Sequence, residues 1–236
     1  MFLNERTGQV HKEGDVYRHP VLAATLRRIA EHGAEEFYSG ETAANLVRDL
    51  EEAGGVMTLS DLARYSVRWE SPVRSVLPHT NLTLLTSPPP GSGSVLAAIL
   101  GLSGLNKPRP ADLNRPEAWQ TFIEACKFAF AKRTLLGDGA LDEELERDVR
   151  EVVELLTNTG TGWWQETEGR ISQVSTSQDP AWYGAEFSSV EDSGTTHISI
   201  LDPAGNAVSV TSTINTFYGG KVGQGWAGFY LDIRAL

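Results

Sequence analysis

The sequence predicts an α+β fold on three observations. Helical apolar spacing, punctuated by Gly and Pro, recurs through roughly the first two thirds of the 236 residues. A polar stretch rich in Ser, Thr, Gly and Gln follows at 157–189. From Thr195 onward apolar residues alternate with hydroxyl-bearing ones at the period of a strand. With 40% apolar residues, six Trp, six Tyr and eight Phe, the chain can bury a core as one large domain or two small ones. Its formal net charge of −11 argues against nucleic acid as a partner, because phosphate binding needs clustered Lys and Arg.

Taken in order, "RHPVLAATLRRIAEHG" places Pro at a helix start, Leu22, Leu26 and Ile29 on one stripe, and Gly33 as a stop. "GETAANLVRDLEEAGG" repeats the pattern and predicts a helix closed by a glycine cap. "TLSDLARY" predicts a short third helix, with Asp61 three residues after Thr58 as in a capping box. "YSVRWESPVRSVL" and "NLTLLTS" read as strands. "PPPGSGSVLAAILGLSGL" then reads as a stiff turn, a Gly-Ser loop and a helix. That order invites a phosphate-loop reading, but no Lys follows the glycines and the GxGxxG spacing is missing. Tight-turn packing is the better account. "RPEAWQTFIEACKFAFAKRTLLGD" predicts the longest helix and "DEELERDVREVVELL" another, with a solvated acidic face. Residues 157–189 are expected to be a long exposed connection, of a kind usually functional or processed.

The single cysteine, Cys126, excludes an internal disulfide and any CxxC metal site; its apolar neighbours predict a buried structural thiol. The five histidines show no metal-ligand spacing, so neither a metal nor a cofactor is predicted. The amino end has no apolar h-region and no stretch nears eighteen apolar residues, so neither a signal peptide nor a membrane span is expected in this chain. Asn81-Leu82-Thr83 is a lone glycosylation triplet of a kind common by chance.

The most informative stretch is "EDSGTTHISILDPAGNAVSVTSTINTFYGG". Strand alternation puts Thr195, His197 and Ser199 on one face, with Thr196, Ile198 and Ile200 on the other. "DPAGN" supplies the turn. The second strand puts Ala207, Ser209, Thr211, Thr213 and Asn215 on one face, opposite Val208, Val210 and Ile214. Pairing Leu201 with Ala207 sets Thr195 directly across from Thr213, about 4.5–5.5 Å away, with Asn215 on the diagonal. Both apolar faces then point the same way, which supports this register.

A threonine hydroxyl needs a base before it attacks. His197 shares the face of Thr195, but same-face neighbours along a strand are roughly 6.5–7 Å apart. No GxSxG elbow supports a Ser/His/Asp triad. A cut before Thr195 would instead give that residue its own α-amine, with an ordinary pKa of about 7.7–8.0, as a base beside its own hydroxyl. Gly194 offers the backbone freedom such a cut requires. The bland reading, that "GTT" is merely good β-forming sequence, stays open on the residues alone.

Beyond these residues, the chain resembles the γ-glutamyltransferase (glutathione hydrolase) family over nearly its whole length. The resemblance lies in "KEGDVYRHPVLAATLRRIAEHGAEEFYSG", "GGVMTLSDLARYSVRWESPV", "SPPPGSGSVLAAILGL", "FAFAKRTLLGD" and "SGTTHISILDPAGNAVSVTSTIN", in that order. It implies an N-terminal-nucleophile (Ntn) hydrolase αββα sandwich, here partial and truncated at both ends. It implies self-cleavage between Gly194 and Thr195 into a large-subunit part, 1–194, and the start of a small subunit, 195–236, which stay together as a heterodimer. Thr195 is the implied nucleophile, forming a γ-glutamyl ester from glutathione or another γ-glutamyl compound. Water, an amino acid or a peptide would resolve that ester. Thr213 matches the family threonine that hydrogen-bonds the nucleophile, and Asn215 an asparagine that holds the glutamyl group. The resemblance further implies an extracellular, secreted or periplasmic location.

Departures accompany it. Asp232, Ile233 and Arg234 stand where the family has an Asn-Asn pair and a residue that binds the substrate's amino group. Residues 232–236 are therefore expected to be an altered tail, and the chain a fragment. The alternatives are a catalytically inactive γ-glutamyltransferase-like protein and a β-lactam acylase.

Overall fold

A computed structural model describes residues 4, 7–78, 80, 82–105, 114–139, 142–186, 195–215 and 219. They fall into two compact units, one from Met1–Val67 with Glu191–Leu236, the other Arg68–Val190. Asn81, Gly194 and the 232–236 tail lie outside the described residues.

In the first unit, α1 (Pro20–His32) starts as expected, with Pro20 at the first turn and His19 Nδ1 accepting the Leu22 amide at 3.2 Å. Gly33, at φ 73°, ends α1 but also opens a second short helix, α2 (Ala34–Tyr38), that its sequence does not announce. Helix α3 (Glu41–Glu52) buries Ala43, Leu46, Val47 and Leu50 against Leu62. It closes with the predicted glycine cap: Gly55 donates to the Leu50 carbonyl at 2.8 Å and left-handed Gly54 to that of Glu51 at 3.0 Å. The capping box of α4 (Leu59–Ala63) is present in both directions between Thr58 and Asp61. One buried carboxylate joins the first three helices. Glu36 Oε1 accepts from the amide and hydroxyl of Thr42, both at 2.9 Å, and lies 3.3 Å from Arg28 Nε.

In the second unit, β1 (Val73–Val76) pairs antiparallel with β2 (Thr83–Thr86). The predicted first strand is thus shorter than its apolar pattern. Residues 65–72 join no ladder, and Val67 and Trp69 are exposed. The loop before α5 (Gly93–Leu102) is tight packing, as read: a Cβ on Gly93 would stand 2.2 Å from the Ser87 carbonyl oxygen. Helix α6 (Pro116–Arg133) is the longest described, and α7 (Glu143–Thr157) carries the acidic face. Val95, Ala98 and Leu102 of α5, Ala125 and Ala129 of α6, and Leu156 of α7 form the core. Cys126 packs partly buried against it, and burial raises its thiol pKa.

The stretch 157–189 differs from the exposed connection expected. It forms α8 (Gly162–Arg170) and a 3-10 turn, Pro180–Tyr183. Trp164, 2% exposed, enters the core with its indole N–H on the Leu155 carbonyl at 3.0 Å. Tyr183 packs edge-on to Phe128, and Thr167 is buried. These contacts reach back to α6 and α7, so a local reading of composition misses them.

Candidate active site

Strands β3 (Thr195–Leu201) and β4 (Ala207–Thr213) form an antiparallel hairpin in the register derived from the sequence. Leu201 faces Ala207 and Thr195 faces Thr213. The turn explains why. Asp202 Oδ1 accepts from the amides of Ala204 and Asn206 at 2.9 and 2.8 Å, and Oδ2 from the Asn206 side chain at 2.7 Å. Gly205 supplies the left-handed residue at φ 85°. The Asn206 side chain first, then the surrounding amides, holds the Asp202 carboxyl below its ordinary pKa. A turn fixed this firmly sets every pair above it.

At the far end, the Thr195 hydroxyl donates to Thr213 Oγ1 at 3.1 Å. Thr213 Oγ1 also accepts the Asn215 amide at 2.9 Å, with Asn215 in a left-handed conformation at φ 69°. The left-handed region is tolerated better by Asn than by most side chains. Thr195, Thr213 and Asn215 are therefore joined through the Thr213 hydroxyl oxygen.

His197 is not part of it. Its Nδ1 shares a 2.7 Å hydrogen bond with Thr211 and its Nε2 a 2.7 Å bond with Ser199. Both ring nitrogens are engaged away from Thr195, which disfavours the triad reading. The register alone contains this, since His197 stands opposite Thr211. On the other face, Ile198, Ile200, Val208 and Val210 form an apolar stripe exposed within this chain.

Among the described residues no group of three or more His, Cys, Asp or Glu could hold a metal ion. No described helix is long and apolar enough to cross a membrane.

Thr195 thus opens a strand with its hydroxyl directed at a second threonine across the hairpin. The gamma-glutamyltranspeptidase family model matches residues 1–235, and this chain belongs to that family. Glutathione hydrolase 2 of Arabidopsis thaliana is 36% identical over 216 residues, 90% of this chain. The chain spans only 35% of that relative's length. Helicobacter pylori gamma-glutamyltranspeptidase superposes with a TM-score of 0.62 at 26% identity, over 75% of this chain and 48% of that one. Cephalosporin acylase from Bacillus halodurans gives a TM-score of 0.68 over 98% of this chain and 39% of its own, at 22% identity, a likeness of fold alone. The fold is accordingly α+β and a part of the Ntn-hydrolase sandwich those structures share.

Proposed function

We propose that this chain supplies the nucleophile of a γ-glutamyltransferase, or glutathione hydrolase, with Thr195 as the attacking residue. The observation that carries this reading is the 3.1 Å hydrogen bond from Thr195 to Thr213, in a chain of the gamma-glutamyltranspeptidase family. Thr195 Oγ1 adds to the Gly194 carbonyl, the Gly194–Thr195 C–N bond breaks as the nitrogen takes up the hydroxyl proton, and water hydrolyses the resulting ester, so that residues 1–194 part from 195–236 and Thr195 carries a free α-amine. The two parts stay together as large- and small-subunit portions of a heterodimer. This is a covalent division, different in kind from the packing division into two units.

In turnover the freed amine takes the hydroxyl proton as Oγ1 attacks the γ-carbonyl of glutathione or a related γ-glutamyl amide. The C–N bond breaks, the leaving amine receives that proton, and a γ-glutamyl ester of Thr195 remains. Water releases glutamate, or an amino acid or peptide takes the γ-glutamyl group. Asn215, whose main-chain amide bonds the same Thr213 hydroxyl, is the residue proposed to hold the glutamyl end. No step in this route calls for a metal or cofactor. Family membership also supports work on the extracellular or periplasmic side. The acylase likeness, being one of fold, does not favour a β-lactam substrate.

The test is the intact mass of the denatured protein, with release of aniline from a γ-glutamyl anilide. The expected result is two masses meeting at Gly194/Thr195 with turnover, and for Thr195→Ala one uncut chain without turnover. An uncut, inactive wild-type chain would overturn the proposal in favour of an inactive relative. Preferential cleavage of an acyl β-lactam would move it to the acylase reading.

A further inference from the structure

A cavity of about 530 Å³ opens within the second unit, between the start of α5, the carboxyl half of α6 and the Pro180–Tyr183 turn. Sites for small organic molecules typically measure about 300–1,000 Å³. Its walls are mainly apolar and include Phe130, Leu136 and Tyr183. Two cations of α6, Lys127 and Arg133, also line it, and no Asp or Glu is among the described lining residues. That runs against the chain's composition, in which 31 acidic residues outnumber 20 basic ones.

Both cations are held in place with donors to spare. Lys127 donates to the Thr176 hydroxyl and, at 2.8 Å, to the Ser177 carbonyl, 5.2 Å from the centre of the Tyr183 ring. An ammonium has three donors, so one remains. Arg133 donates Nε–H to Ser92 Oγ at 3.1 Å and lies 5.7 Å from the Phe130 ring centre, which leaves its terminal N–H groups. Among the described residues no carboxylate lies within ion-pair distance of either. Ser92 is the N-cap of α5 yet makes no capping bond, so the positive end of that helix adds to the field. Glu124, one turn before Lys127, is joined to it through the Thr176 hydroxyl but is not among the lining residues. It is 0% exposed, with its oxygens engaged by Thr176 and Tyr183.

We infer that this cavity, lined by residues of the second unit, binds a small organic carboxylate with an aromatic or aliphatic body. Lys127 and Arg133 meet the carboxylate charge, and the ring faces and Leu136 cover the body. The apolar wall is more than an inorganic anion would use, and the two spare cations are more than a neutral ligand would need.

The probe is 2-naphthoate, titrated by calorimetry into the whole protein, with the neutral 2-naphthalenemethanol as its control. Naphthoate should bind, more weakly at high salt, and the alcohol should bind roughly tenfold or more weaker. Lys127→Gln and Arg133→Gln should each weaken naphthoate by a similar factor, while Thr195→Ala should leave it unchanged. The alcohol comparison needs no variant, so misfolding of either substitution leaves the test intact. Equal binding of acid and alcohol, or no binding of naphthoate, would overturn the inference. So would loss of binding in a folded Thr195→Ala protein, which would place the ligand at the hairpin. None of these outcomes touches self-cleavage, so the nucleophile proposal stands or falls separately.

Discussion

Thr213 Oγ1 accepts two hydrogen bonds at once, from the Thr195 hydroxyl at 3.1 Å and from the Asn215 amide at 2.9 Å. A hydroxyl oxygen has two acceptor sites, so both are filled. The Thr213 oxygen thereby fixes the direction of the Thr195 O–H and the approach of Asn215 together. Thr213→Val keeps the strand's shape and removes both bonds; Thr213→Ser keeps them. Self-cleavage, followed by intact mass over time, should slow roughly tenfold or more in Thr213→Val and recover in Thr213→Ser. Equal rates in the two variants would mean that the bond plays no part.

A second expectation concerns the base. Both nitrogens of His197 are shared with Thr211 and Ser199, so the proposed mechanism assigns the role of base to the α-amine that cleavage would free on Thr195. The rate of γ-glutamyl anilide cleavage should then rise with pH through about 7.7–8.0, the ordinary α-amine range. His197→Gln should leave that limb where it is. A limb that disappears in His197→Gln would return the histidine to the role of base.

Acid should loosen the first unit through Glu36. The amide of Thr42, then its hydroxyl, hold the Glu36 carboxyl below its ordinary pKa, with Arg28 adding a smaller effect. A depressed carboxyl stabilises the fold in full above the unfolded-state value, about 4.3, and that contribution is lost as pH falls through the lower folded-state value. Asp61 and Asp202 shift in the same direction, so wild-type stability should fall from about pH 5 downward. Glu36→Gln should be less stable at neutral pH and decline less steeply in acid, as measured by thermal unfolding across that range. Parallel curves would remove Glu36 from the account.

Local chemistry explains what was legible in the sequence. The Gly54–Gly55 cap, the Thr58–Asp61 box and the Asp202–Asn206 turn each close within six residues, so their residue types announce them. The Thr195–Thr213 pair follows from that turn by counting along the ladder, so the candidate nucleophile group is legible in the sequence. Helix α2, five residues within the six that separate Gly33 from Gly40, is too short to show a period. Residues 65–72 were over-read because apolar content without a partner strand makes no ladder. The organic-anion cavity was out of reach for a further reason. Ser92, Lys127, Arg133 and Tyr183 come from three separate elements and meet only through packing.

That packing makes its own prediction at Tyr183, in the stretch read as an exposed connection. Its hydroxyl donates to Glu124 Oε1 at 3.0 Å and accepts the Ser177 amide at 3.0 Å, while its ring packs edge-on to Phe128 with centres 4.9 Å apart. Tyr183→Phe keeps the ring and leaves Glu124, fully buried, with Thr176 as its remaining described donor. Leaving a buried polar group short of a partner costs about 1–3 kcal/mol. The urea midpoint should fall accordingly with an unchanged slope, the mark of lost stability without a change in the surface exposed on unfolding. Thr176→Val should cost a similar amount, and the double variant less or more than the sum, because both hydroxyls serve one carboxylate. A neutral Tyr183→Phe would mean that Glu124 is satisfied without it, and that the turn docks through its rings alone.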